Sequence, residues 1–156
     1  MPAMKQLMKS LLLIMLVGAW LPAGAIQLVT REEMLQSQKA PPVVEAAAVP
    51  ADPLAPQIVL VDPEANGTDK VVRNPFKMEV IFKPQEGAAL DFKSFQALYG
   101  ALKMDITERL LKEAVKTPNG LRLANVNVPS GKHRILLRIK DNQNRLAEKE
   151  IQFRVD

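Results

Sequence analysis

His133 is the one side chain in this chain that titrates near neutral pH, and it is the only histidine. It follows Gly131 and Lys132 at the mouth of a β-patterned run and is flanked by Lys132 and Arg134. A lone imidazole between cations reads as a partly exposed hydrogen-bonding group rather than a general base or a metal ligand. The serines beyond the first 25 residues are Ser37, Ser94 and Ser130, and none lies in a nucleophile-elbow sequence. There is no phosphate-cradling glycine loop and no His-Glu-x-x-His. Cysteine is absent, which excludes disulfides, thiolate metal sites and cysteine nucleophiles together. The sequence therefore offers no catalytic residue and no cofactor site, and the chain reads as a non-enzyme.

Two other groups of residues have the chemistry to bind something. Asp62-Pro-Glu-Ala-Asn-Gly67 imitates the start of a calcium loop, with ligand types at positions 1, 3 and 5 and glycine at 6. Asp62, Glu64 and Asp69 are thus candidate metal ligands. The twelfth position, where such a loop needs a bidentate Glu, is Arg73, so a turn built on Pro, Asn and Gly is the better reading. Met34, Met78 and Met104 are too scattered for a soft-metal motif. The second group is cationic: Lys132, Arg134, Arg138, Lys140 and Arg154 fall on one side of the C-terminal strands, with Glu148 and Glu150 nearby. Such a strip can steer an anionic polymer, or it can be an ordinary solvated face whose lysines discourage edge-to-edge aggregation. These five residues are the candidate partner-binding set.

The elements that must position these groups are β-strands. Ile135, Leu137 and Ile139 alternate with Arg134, Arg138 and Lys140, and Ile151, Phe153 and Val155 alternate with Gln152 and Arg154. Period-two alternation on either side of Asp141-Asn-Gln-Asn144 predicts a half-buried hairpin. Upstream, strands are expected at 57–61, 69–73, 76–83, 95–100 and 121–128, with a helical turn at Asp91–Ser94. Asp105 with Glu108 three residues on is a capping arrangement, and Ile106, Leu110 and Leu111 share a helical face. One short amphipathic helix is therefore expected over 105–116.

Composition fixes the frame around this domain. The chain has 156 residues, 47% hydrophobic and 24% charged, with only 4% aromatic, so its core is mainly aliphatic. Residues 1–25 read as a signal peptide: Lys5 and Lys9, the apolar run Leu11–Leu21, then Ala23-Gly24-Ala25. That run reaches about 16 Å as a helix, half of a ~30 Å hydrocarbon layer, so it does not read as a stable span. Residues 26–56 are rich in Pro and Ala and read as a flexible linker. A helix over 31–39 would be marginal without packing. Residues 57–156 form the expected domain. The formal charge of +4 falls to +2 without Lys5 and Lys9, too little to argue for nucleic acid.

Several stretches carry a family likeness. Ala55-Pro-Gln-Ile-Val-Leu-Val-Asp-Pro63, Asn74-Pro-Phe76 and Val128-Pro-Ser-Gly-Lys-His-Arg-Ile-Leu-Leu-Arg-Ile-Lys-Asp-Asn-Gln-Asn144 resemble bacterial immunoglobulin-like domains, including their fibronectin type III-like and cadherin-like relatives. The final Ile-x-Phe-x-Val resembles their last strand. The resemblance covers about residues 56–156 and implies an all-β, Greek-key sandwich with one short inserted helix, behind a signal peptide and linker. The cysteine pair and core tryptophan of antibody domains are absent. The function expected on these grounds is that of an exported, periplasmic or secreted, non-catalytic binding or scaffolding module of the bacterial cell envelope, taking a protein or an anionic polymer as partner. The alternatives are a small calcium- or metal-binding periplasmic protein and an accessory domain of an enzyme complex.

Overall fold

The C-terminal hairpin forms in the register its alternation requires. A computed structural model describes residues 24–41, 52–63 and 71–156. In it, β9 (Gly131–Asp141) and β10 (Leu146–Val155) pair antiparallel without a break, from Lys140 opposite Leu146 to Gly131 opposite Val155. Ile135, Leu137, Ile139, Ile151, Phe153 and Val155 are buried. The turn is organised by Asp141, whose carboxylate accepts from the N–H groups of Gln143 and Arg145 and from Arg145 Nε at 2.6 Å. An Asp that gathers backbone donors in this way replaces the pairing the strands lose at a turn.

Two five-stranded sheets stack face to face among the described residues. The first runs β1 (Ile26–Gln27), β8 (Gly120–Asn127), β4 (Phe76–Lys83), β2 (Gln57–Asp62), with β7 (Val115–Thr117) also on β8. The second runs β3 (Val71–Val72), β10, β9, β5 (Leu90–Tyr99), β6 (Met104–Asp105). The chain changes sheet at β2/β3, β3/β4, β4/β5, β6/β7 and β8/β9, so the fold is an all-β sandwich that carries two short helices. Aliphatic side chains fill most of the core, as the composition predicts. All five phenylalanines pack there as tilted or edge-on rings. Phe76 of β4 against Phe153 of β10 and Phe82 of β4 against Phe95 of β5 bridge the two sheets at 5.5 and 5.7 Å.

Three sequence expectations are corrected. Asp91–Ser94 is not a helical turn but part of β5, where the pairing with β9 slips between Asp91 and Gln96. The turn chemistry is real: Asp91 accepts from Lys93 N–H and Ser94 O–H, and Ser94 Oγ accepts from Lys140 N–H at 2.7 Å. It makes a bulge because strand pairing on both sides overrides the local preference. The second correction is the helix, α2, which spans Thr107–Glu113 and not 105–116. Ile106 stands at its N-cap with no side-chain cap, while Asp105 belongs to β6 and accepts from Thr107 N–H at 2.8 Å. Residues 115–117 leave the helix to pair as β7. Ile106 and Leu110 are buried as the apolar face requires.

The third correction concerns the linker. Residues 26–41 are not a spacer. Ile26 and Gln27 pair parallel with Val126 and Asn127, Leu28 and Val29 are fully buried, and α1 (Arg31–Lys39) packs on the body through Met34. Thr30 and Glu33 form a complete capping box, Glu33 N–H to Thr30 Oγ1 and Thr30 N–H to Glu33 Oε2. The capping box and two buried aliphatics hold a helix that would be marginal alone. Of the signal-peptide reading over 1–25, residues 1–23 lie outside the described residues, as do the Pro/Ala-rich run 42–51 and residues 64–70. No helix among the described residues is long and apolar enough to cross a membrane.

Leu110 seals the core beneath α2, so Leu110→Ala is expected to cost about 2–5 kcal/mol through lost burial and an unfilled cavity. Thermal unfolding followed by circular dichroism measures this as a clear fall in Tm.

Candidate binding cleft at the helix-capped end

One end of the sandwich is closed by α1, and closing it requires two glycines. Gly100, with φ +68°, ends β5, and a Cβ there would overlap the side chain of Ser37. Gly131, with φ +138°, opens β9, and a Cβ there would meet Met34 Sδ at 3.2 Å. Both conformations are ones that side-chain-bearing residues rarely adopt. The helix is then tied in place: Ser37 Oγ accepts from Ala101 N–H at 2.8 Å, and Gly100 N–H donates to the Arg134 carbonyl at 2.9 Å. On the other side, Arg109 of α2 makes a bidentate pair with Glu33, both contacts 2.9 Å, and also donates to the Leu28 carbonyl. The Arg109 hydrogen bonds hold the Glu33 carboxyl down to about 2, with a further contribution from Thr30 and against the effect of burial.

His133 is where the structure departs most from the sequence reading. It is 3% exposed, not partly exposed. One ring nitrogen, Nε2, is 2.7 Å from the Pro129 carbonyl, which can only accept, so Nε2 carries the proton. Nδ1 is then the acceptor for the Tyr99 hydroxyl at 2.8 Å. The ring stacks on Phe153 at 5.5 Å. Burial lowers the imidazole pKa, partly opposed by the Pro129 hydrogen bond. Burial, together with the nearby Glu33 charge, pushes the Tyr99 phenol up to about 12. Burial thus favours the neutral form of both groups, which bond to each other. The imidazole is a core strut.

Beside this strut an open cleft of about 400 Å³ lies between the last turn of α1 and the near ends of β5, β9 and β10. Gln38, Tyr99, Lys132, His133 and Arg134 line it, and no carboxylate does. A second cleft of about 390 Å³, around Asn74 and Ser130, has no charged side chain in its lining. Its Asn74 is already committed, bridging both backbone groups of Val128.

The five predicted partner-binding residues share the outer face of the β9–β10 hairpin, with Arg154 directly opposite Lys132, but they are spread along it. Eight residues separate Lys132 from Lys140 on β9, about 26 Å at ~3.3 Å per residue. Arg138 is paired with Glu148 at 2.5 Å, and Arg154 with Asp156 at 3.2 Å. Arg134 approaches Glu150 only to 3.9 Å. Lys132 and Lys140 have no acidic partner within ion-pair distance among the described residues. Lys132 and Arg134 reach the cleft, whereas Arg138 and Lys140 stand at the far end. Of the candidate metal ligands only Asp62 is described, at the end of β2, and Glu64 and Asp69 lie outside the described residues. No group of three potential ligands comes together among the described residues. The α1 contribution to the cleft was missed by sequence reasoning. The signal for it was Thr30-Arg-Glu-Glu33, a capping box hidden in a stretch dominated by its proline-rich neighbour.

Neither protein families nor curated proteins match this chain. Among solved structures, the fold is similar to the crystal structure of CopC from Methylosinus trichosporium OB3b, at 15% identity and a TM-score of 0.41, over 64% of this chain and 94% of that one. A likeness at this level carries no inference about ligands.

Two experiments test the architecture of this end. Gly100→Ala is expected to lower Tm by displacing α1, and adding Ser37→Gly, which removes the obstructing side chain, should recover part of the loss; no recovery would mean that the backbone conformation alone matters. The second concerns pH. A His133 pKa below 6.5 in the fold means that the unfolded chain binds the proton first, so stability falls as pH drops below about 6.5. Glu33, at about 2 when folded against 4.5 unfolded, adds a loss as pH falls through that interval. Tyr99, raised from 10 to about 12, removes stability as pH rises above 10. Urea midpoints measured across pH should show all three limbs, and His133→Gln should abolish the first while leaving the Glu33 limb.

Proposed function

We propose that this chain is an exported, non-catalytic binding module of the bacterial cell envelope, built on an immunoglobulin-like Greek-key sandwich. The observation that carries the reading is the fate of His133. The only histidine has both ring nitrogens bonded inside the core, while Lys132 and Arg134 reach an open cleft beside it. A module that holds a partner needs an exposed, rigidly framed surface and no reacting group.

The strand arrangement supports the immunoglobulin-like reading. The N-terminal strands are divided between sheets, β2 on β4 in one and β3 parallel to β10 in the other. The chain then passes back and forth between sheets, as Greek-key sandwiches do. Export is supported by the sequence of residues 1–25. Cleavage after Ala25 would release a chain starting at Ile26, the first residue of β1, and leave every contact of that strand intact.

Intact-mass analysis of protein from the envelope fraction should give a chain beginning at Ile26 without Trp20, and a full 156-residue chain there would overturn the cleavage. Crosslinking in intact cells followed by purification should recover a discrete envelope partner through residues around the cleft. Recovery of no partner above an unrelated exported control would overturn the binding role.

A further inference from the structure

We infer that the cleft between α1 and the start of β9 is a binding site for a compact oxyanion, a carboxylate or phosphate group, held between Lys132 and Arg134. This deepens the binding-module reading by naming the chemistry its cleft recognises.

Four observations converge. The cleft lining carries two cations and no carboxylate. The two cations stand at i and i+2 on one strand, so their stems are about 7 Å apart, a separation that a single oxyanion can bridge with two long side chains. Lys132 is exposed and has no acidic partner within ion-pair distance among the described residues. Arg134 approaches its acidic neighbour Glu150 only to 3.9 Å, well beyond the ~2.7–2.9 Å of a charge-assisted hydrogen bond, so its donor fork remains available to a better-placed anion. Arg138, further along the same strand, lacks this freedom, because Glu148 sits directly opposite and pairs with it at 2.5 Å.

The frame around the cations is rigid. Gln38, whose carboxamide can donate to an anion, is brought to the cleft by the seating of α1 on Gly100 and Gly131. The floor is the Tyr99–His133 pair, whose hydrogen bonds are internal. The backbone that carries the donors is thus set in place before a ligand arrives, which limits the ordering cost of binding to the side chains themselves. Glu150, whose Oε1 accepts from Gln152 Nε2, acts as a tethered competitor: it stands beside Arg134 when the site is empty and yields it when an oxyanion arrives.

Amide-resolved NMR titration of the chain starting at Ile26 tests this, with inorganic phosphate in one arm, glutarate in another, and sodium chloride at matched ionic strength as control. Saturable shifts are expected at Gly100, Ala101 and Lys132 to Arg134, stronger for whichever group the site prefers, with the amides near Arg138 and Lys140 unmoved. Lys132→Gln with Arg134→Gln should weaken binding about ten-fold or more, the loss of at least one charge-assisted hydrogen bond. Glu150→Gln should tighten it, since the competitor is gone; this arm stands even if the double variant folds poorly. Shifts reproduced by chloride, shifts spread equally along β9, or an unchanged affinity in Glu150→Gln would each overturn the site. A discrete partner crosslinked elsewhere on the domain, with no oxyanion response, would retain the binding role and remove this inference alone.

Discussion

A two-sheet sandwich leaves its ends open, and in this protein the carboxylate of Glu33 is what closes one of them. It caps its own helix through Thr30 and grips the second helix through Arg109, so two short helices that are each marginal in isolation become one lid. Everything at that end depends on the lid. Leu28, Val29, Ile106 and Leu110 are buried beside it. The Tyr99–His133 pair is buried next to it, and burial disfavours the charged imidazole, so this histidine serves as a strut instead of a surface group. Gly100 and Gly131 are the matching constraint from below, since any side chain at Gly100 would occupy the space of Ser37.

The charges on the outer face follow a different logic. Acidic residues of β10 stand opposite or diagonal to the arginines of β9, so most of the face is a set of exposed ion pairs, each contributing little to stability. Such pairing keeps a sheet soluble and specifies register, but it consumes the potential that a cationic strip would otherwise project. The pairing weakens toward the helix-capped end, and there positive charge meets a concave surface. Position relative to the lid, and not the number of basic residues, separates Lys132 and Arg134 from Arg138 and Lys140.

Strand formation was legible in the sequence wherever one face of a strand meets the core. Period-two alternation fixed the hairpin and its register at Ile135–Ile139 and Ile151–Val155, and it placed β4 at Phe76–Lys83, because a shift of one residue would turn every apolar side chain to water. The two-sheet sandwich follows from several such strands with a mainly aliphatic core. Capping chemistry was read at Asp105-x-x-Glu108 and overlooked at Thr30-x-x-Glu33, and it is the second that forms the box. Tertiary structure decided that: Asp105 was drawn into β6 opposite Leu98, leaving α2 uncapped, while Thr30 was left free to cap α1. The same kind of decision made a bulge of Asp91–Ser94. The burial of His133 and the assembly of the cleft were beyond the sequence altogether, because they join residues 37, 99 and 133. Local patterns report how one segment divides between core and water; which distant segments meet depends on how the sheets stack and what closes their ends.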